Sequence, residues 1–207
     1  MTGIIDYNAG NIRSVELALN KIGAPFTTSA NPAELSGMDR LIFPGVGEAA
    51  FAMAELKKKG LDSFLRDWAA AGKPLLGVCL GSQIIFDHSE EGDTPCLGIL
   101  PGIIRRFPRD FPEKGLKIPH MGWNDLAFHN GGSTLFNGIP EGSDVYFVHS
   151  YYIDPADPSL VTATVDYGFP VPCAVKRGSV EAFQFHPEKS GTIGLGMLAN
   201  FTGGTAC

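Results

Sequence analysis

The chain has 207 residues, 44% hydrophobic and 18% charged, with 16 basic against 22 acidic side chains and a formal net charge of −6. These values exclude fibrous and disordered classes and fit a globular protein with a sizeable core. The longest basic run is Lys57-Lys58-Lys59 and no apolar stretch reaches the roughly 18 residues of a membrane span, so neither a nucleic-acid partner nor a membrane is expected.

Met1-Thr2-Gly3-Ile4-Ile5-Asp6 has neither the basic start nor the long apolar core of an export signal. Cys79, Cys96, Cys173 and Cys207 include no Cys-x-x-Cys pair, which fits a reducing cytoplasm better than a disulfide framework or a zinc site, and buried structural roles are expected for all but Cys79. The histidines show no His-Glu-x-x-His pairing, so no metal is expected and no cofactor is assigned.

In chain order, Ile4-Ile5-Asp6 reads as a strand, and Ile12, Val15, Leu17, Leu19 and Ile22 recur at near-helical spacing up to a Gly23 stop. Strands are expected near Pro25–Thr28 and at Leu41-Ile42-Phe43, helices at Glu48–Lys58 and Leu61–Ala71, then a buried strand at Pro74–Val78 and a helix from Ser82 to Asp87. This alternation predicts parallel strands with helices on both faces and right-handed crossovers. From Gly98 the pattern changes to strands, at Gly102–Phe107, Val145–Ile153, Val161–Val165, Cys173–Lys176 and Val180–Phe185, before a last helix at Ile193–Phe201. The expected fold is α/β, with three layers and a mostly parallel central sheet to which an antiparallel portion is added. No linker composition marks a boundary near Gly98, so residues 1–207 are expected to form one domain.

Gly77-Val78-Cys79-Leu80-Gly81 lies between a buried strand and a helix, the setting of a nucleophile elbow. Glycines two residues either side of Cys79 remove side chains that would collide in so sharp a turn, the helix N-terminus favours a thiolate, and the Leu80 N–H is a natural oxyanion donor. A buried strand-end cysteine is the competing structural reading. Near the other end, Phe183-Gln184-Phe185-His186-Pro187-Glu188 is a strand that stops at a proline. Pro187 ends the ladder and holds His186 at a strand end, with Glu188 placed to orient the imidazole in a Cys–His–carboxylate relay. The competing reading is a solvated turn in which Glu188 pairs with Lys189.

Gly45-Val46-Gly47-Glu48-Ala49-Ala50 fits the Gly-x-Gly-x-x-Ala form of a dinucleotide fingerprint, which would make the chain a nucleotide-binding module. It does not follow the first strand, Pro44 stiffens its entry, and more helix follows where a strand ending in a ribose-binding acid is required. The alternative use is an oxyanion loop in which the Val46 and Gly47 amides meet that of Leu80.

Pro44-Gly45-Val46-Gly47, Gly77-Val78-Cys79-Leu80-Gly81-Ser82-Gln83 and Phe185-His186-Pro187-Glu188-Lys189-Ser190 together resemble the class I (triad) glutamine amidotransferases. Asp6-Tyr7-Asn8-Ala9-Gly10-Asn11, His88-Ser89-Glu90-Glu91-Gly92, His120-Met121-Gly122-Trp123-Asn124 and Tyr146-Phe147-Val148-His149-Ser150-Tyr151-Tyr152 narrow the resemblance to the glutaminase subunits of imidazole glycerol phosphate synthase. It covers nearly the whole chain. It implies a flavodoxin-like fold, Cys79 as nucleophile, His186 as base and Glu188 as orienter, with Gly47, Gln83, His149, Ser150 and Tyr151 holding L-glutamine. It further implies that Asn8, Asn11, Trp123, Tyr146 and Lys189 face a separate (β/α)8-barrel cyclase, which takes up the ammonia in a heterodimer and makes imidazole glycerol phosphate and AICAR. In that family the oxyanion hole assembles only when the cyclase is occupied. Ser82 departs from the family's frequent Met, and the Thr202–Cys207 tail matches nothing in it. A triad glutaminase serving pyridoxal phosphate synthesis shares the Cys and His-Pro-Glu motifs but not the Asp-Tyr-Asn-Ala-Gly-Asn start. A cysteine α/β-hydrolase would place its acid before the histidine, and a catalytically dead interaction subunit has no reason to keep all three relay residues.

Overall fold

The computed structural model describes residues 1–129 and 132–205. Its first half alternates β1 (Thr2–Ile5), α1 (Ile12–Lys21), β2 (Phe26–Ser29), α2 (Pro32–Leu35), β3 (Arg40–Gly45), α3 (Ala49–Lys58), α4 (Leu61–Ala70), β4 (Leu75–Cys79) and α5 (Leu80–Ile84). The second half is mainly extended: β5 (His88–Ser89), β6 (Thr94–Pro95), β7 (Gly102–Arg106), β8 (His120–Asp125), β9 (Ala127–Phe128), β10 (Asp144–His149), β11 (Tyr151–Pro155), β12 (Val161–Asp166), β13 (Pro170–Arg177) and β14 (Val180–Phe183), closed by α6 (Gly191–Thr202).

Eight strands form the central sheet in the order β2-β1-β3-β4-β14-β13-β12-β9. The run from β2 through β14 is parallel, and β13, β12 and β9 extend it antiparallel. A parallel sheet is covered on both faces, which explains why its strands read as unbroken apolar runs. Successive residues feed opposite layers: Ile4, Ile42, Leu76 and Val78 pack with α1 and α6, whereas Ile5, Leu41, Phe43 and Leu75 pack with α3, α4 and α5. Each large side chain buried in this way contributes about 1.5–3 kcal/mol. Among the described residues no helix is long and apolar enough to cross a membrane.

Two smaller sheets stand beside the main one, β10-β8 and β11-β7-β5-β6. The expected single strand from Val145 to Ile153 is therefore two strands in different sheets, broken at Ser150. The α5 helix starts two residues earlier than expected, at Leu80, so that Cys79 is its N-cap. At the other end Gly203 (φ 75°) terminates α6, and the Thr205 N–H donates to the Ile22 carbonyl, tying the described part of the tail to the end of α1. Cys207 lies outside the described residues.

Candidate active site

Parallel α/β sheets collect ligands at the carboxyl ends of their strands, and here three such ends converge. In register, Gly45 at the end of β3 faces Cys79 at the end of β4, while Phe183 of β14 faces Val78. Phe183 leads directly to Gln184, Phe185 and His186, so the residues most distant in sequence are neighbours at one edge. Between them is a cleft of about 300 Å³ lined in part by Gly47, Cys79, Leu80, Gln83, Ser150 and His186. A larger hollow of about 450 Å³, between Arg66 and Arg177, opens at the opposite ends of β4 and β14 and is lined by neither cysteine nor histidine.

Cys79 occupies φ 55° and ψ −113°, which an L-residue enters only under strain. The strain is imposed by close packing of the turn. A Cβ on Gly81 would stand 1.9 Å from the Phe43 carbonyl oxygen, and one on Gly77 would stand 2.9 Å from the Gly81 oxygen. Both positions exclude any side chain, as the Gly-x-Cys-x-Gly spacing predicts. Ser82, fully buried, donates from Oγ to the Cys79 carbonyl at 2.6 Å and so braces the turn that it opens. The Leu80 N–H is at the first helical position, where no intrahelical acceptor exists.

His186 is 1% exposed, and its Nδ1 lies 2.8 Å from Glu188 Oε1, itself enclosed. Glu188 thus faces the ring, and among the described residues no salt bridge joins it to Lys189. Nε2 lies toward the Cys79 sulfur without closing a full hydrogen bond, the slack geometry common before substrate arrives. Burial alone would lower the His186 pKa, but the Cys79 sulfur and the Glu188 carboxylate outweigh it and push it up to about 10. The imidazole is therefore charged at neutral pH whenever the sulfur beside it is a thiolate, and an imidazolium is the proton donor that acyl transfer from an amide requires.

The remaining expected residues fall into three groups. Gly47, Leu80, Gln83, Ser150 and Tyr151 line the cleft. Gln83 Nε2, however, is committed to the Tyr151 carbonyl at 3.0 Å and to Gln184 Oε1 at 2.8 Å, which leaves its own Oε1 as the free polar atom. Both ring nitrogens of His149 are likewise engaged, with His120 and with the Tyr151 carbonyl, so this residue supports the wall and presents no free polar group to a ligand. The Val46 N–H, expected to serve an oxyanion loop, donates here to the Ala9 carbonyl at 2.8 Å.

A third set lies on the rim. Trp123 is 54% exposed and edge-on to Tyr146 at 6.0 Å, and Lys189 Nζ stands 5.9 Å over the same ring. Asn8, in the loop between β1 and α1, donates to Glu55 Oε2 of α3, and Asn11, the N-cap of α1, accepts from Ser14.

Sequence reasoning missed Glu91 as a site residue. Its carboxylate accepts from the Ala49 N–H at 2.8 Å, capping α3, and also lines the cleft, where burial, reinforced by the charge of Glu48, raises its pKa. The only sequence signal is its position in the His-Ser-Glu-Glu-Gly stretch. Tyr7 was also unforeseen: it packs on Phe43 at 5.3 Å, with its hydroxyl where a Cβ on Gly45 would come within 2.4 Å. Among the other described cysteines, burial pushes Cys96 up to about 12 and holds Cys173 well above its ordinary value, which suits neither for nucleophilic work.

Comparison with known proteins agrees with this geometry. The family model for glutamine amidotransferase class-I matches residues 4–203. The chain is 46% identical over 202 residues to the imidazole glycerol phosphate synthase subunit HisH of Dehalococcoides mccartyi, covering 97% of this chain and 96% of that one. It is 48% identical over 206 residues to the protein of the same name from Geobacillus kaustophilus, covering 98% and 96%. In fold it is similar to PurLQS from Thermotoga maritima, with a TM-score of 0.73 at 18% identity over 97% of this chain and 96% of that one. A strained cysteine elbow, a His–Glu pair on the neighbouring strand and a family match over nearly the full length lead to one conclusion: the chain belongs to the class-I glutamine amidotransferase family.

Proposed function

We propose that the chain is the glutaminase subunit of an imidazole glycerol phosphate synthase, acting as one domain over residues 1–207 and passing ammonia to a separate (β/α)8-barrel cyclase in a heterodimer. The observation that carries the reading is the placement of Cys79, at a strained turn, beside an imidazole held by Glu188 at 2.8 Å. The near-complete coverage of the HisH relatives supports the choice of subunit.

Catalysis begins with attack of the Cys79 thiolate on the side-chain amide carbon of glutamine. The oxyanion is received by the Leu80 N–H, and the His186 imidazolium gives its proton to the departing ammonia as the C–N bond breaks. The γ-glutamyl thioester remains. Neutral His186 then takes a proton from water, the hydroxide adds to the thioester, and the C–S bond breaks to release glutamate and restore the thiolate. Glu188 holds the ring by Nδ1 so that Nε2 faces the reacting atoms throughout. The Glu91 carboxylate and the free Oε1 of Gln83 suit the α-ammonium of glutamine, while Gly47, Ser150 and Tyr151 form the wall beside it.

The Val46 amide, bonded to Ala9, is a second oxyanion donor held in reserve. Turning its peptide toward Cys79 would complete the hole, and docking of the cyclase on the Trp123, Tyr146 and Lys189 face supplies an occasion for the turn. Asn8 and Asn11 border the same face. The test is a glutaminase assay of the chain with and without the cyclase and its ligand. Little hydrolysis by the chain alone, strong activation in the complex and none with Cys79→Ala are expected; a high rate without the cyclase overturns the gating, and a wild-type rate in Cys79→Ala overturns the assignment.

A further inference from the structure

Two imidazoles that play no part in the steps above are buried beside the cleft. His120 begins β8 and His149 ends β10, directly opposite one another in the antiparallel ladder, and they are 4% and 5% exposed. His120 Nδ1 lies 3.0 Å from His149 Nε2, and His149 Nδ1 lies 2.8 Å from the Tyr151 carbonyl oxygen. Asn124 Nδ2 approaches His120 Nε2 at 3.4 Å.

The direction of every link follows from the two carbonyls bounding the chain. A carbonyl only accepts, so His149 carries its proton on Nδ1 and donates to Tyr151. In the neutral ring Nε2 is then an acceptor, and His120 donates to it from Nδ1. His120 Nε2 is in turn an acceptor, which the Asn124 amide serves while giving its other proton to the Asp166 carbonyl at 3.0 Å. The Asp125 N–H donates to Asn124 Oδ1 at 2.9 Å, which fixes the amide in that orientation. A proton added to either imidazole would set N–H against N–H. Burial keeps both neutral, holding His120 down to about 4 and His149 to about 3, with the His186 charge adding to the effect on His149.

The Tyr151 carbonyl also receives Gln83 Nε2 at 3.0 Å. Two donors therefore pin one peptide, immediately after the Ser150 break where the chain leaves one sheet for another and lines the cleft. Building on the reading that this cleft takes glutamine, we infer that His120 is a positioning residue: by donating to His149 it locks that ring as the Nδ1-protonated neutral form that fixes the Ser150–Tyr151 wall. His120 touches neither glutamine nor the reacting atoms. It is also sandwiched between the Phe147 and Tyr167 rings, at 4.7 and 3.9 Å, so the donor itself has little freedom to turn.

The test has two readouts. In the full-length wild-type chain, side-chain 15N NMR at neutral pH is expected to show Nδ1 protonated and Nε2 bare in both rings; a His149 protonated on Nε2 overturns the inference, whether or not the protein hydrolyses glutamine. In the complex with the cyclase, His120→Phe keeps the ring stack but loses the donor, and KM for glutamine is expected to rise about tenfold, with the change in KM larger than that in kcat. His120→Gln, which restores an N–H donor, is expected to recover most of that loss. An unchanged KM in His120→Phe, or a Gln variant no better than Phe, overturns the positioning role. Absence of glutaminase activity in the wild-type complex overturns the functional reading instead, and leaves the NMR result to decide the proton arrangement.

Discussion

Substitution of Cys79 by glycine and by alanine separates backbone strain from chemistry, because both remove the sulfur and only one relieves the turn. At φ 55° and ψ −113° a residue with a Cβ is held at a cost of about 1–3 kcal/mol, which glycine does not incur. Against this, glycine destabilises a folded chain by about 0.5–1 kcal/mol relative to alanine, because its unfolded state has more freedom to lose. Relief of strain is the larger effect, so Cys79→Gly is expected to be more stable than Cys79→Ala by about 1 kcal/mol, although neither hydrolyses glutamine. In a chain of this length that corresponds to about 2–4 °C in Tm. Urea unfolding of the two variants under identical conditions reads the difference as a shift of midpoint at equal slope. A glycine variant less stable than the alanine variant, the usual order at unstrained positions, refutes the strained elbow.

Gly81→Ala places a Cβ 1.9 Å from the Phe43 carbonyl oxygen, a backbone atom that cannot move aside alone, and a loss of about 2–4 kcal/mol is expected in the same unfolding experiment. The His186 pKa is raised from the ordinary 6.5 to about 10, so its charged form stabilises the fold fully below pH 6.5 and this contribution is lost as pH rises through about 10. Tm is expected to decline across that interval, and less steeply in Glu188→Gln; parallel declines would show that the pair does not act as described. Glu91→Gln removes the negative charge that faces the cleft, and KM for glutamine in the complex is expected to rise roughly 10- to 100-fold, as for loss of a charge-assisted hydrogen bond. An unchanged KM would place the ammonium elsewhere.

The relay was legible in the sequence because each part depends on a local constraint that leaves a mark. Glycines two residues from Cys79 record the close approach of backbone, and Pro187 records the end of a strand. Three other features leave no such mark. The run from Val145 to Ile153 alternates as one strand would, yet it changes sheets at Ser150, a break held by Gln83 on the Tyr151 carbonyl and by His120 on the His149 ring, both tertiary contacts. β8 was not anticipated because Gly122, Asn124 and Asp125 are poor strand formers; its pairing with β10 overrides their preference. The direction of the Val46 amide is a property of one peptide plane, and no pattern of side chains encodes it.

The position of β14 has a consequence for the timing of synthesis. This strand is made late, yet it lies between β4 and β13, against the interior of the parallel run. A chain still growing, or cut short before residue 180, would carry Cys79 on an open sheet edge with neither the imidazole nor the carboxylate beside it. Joining such distant segments is a slow, late event in folding. The nucleophile therefore gains its base only once the chain has been made past Glu188, and a molecule that stops short of it has a thiol but no means of using it on glutamine.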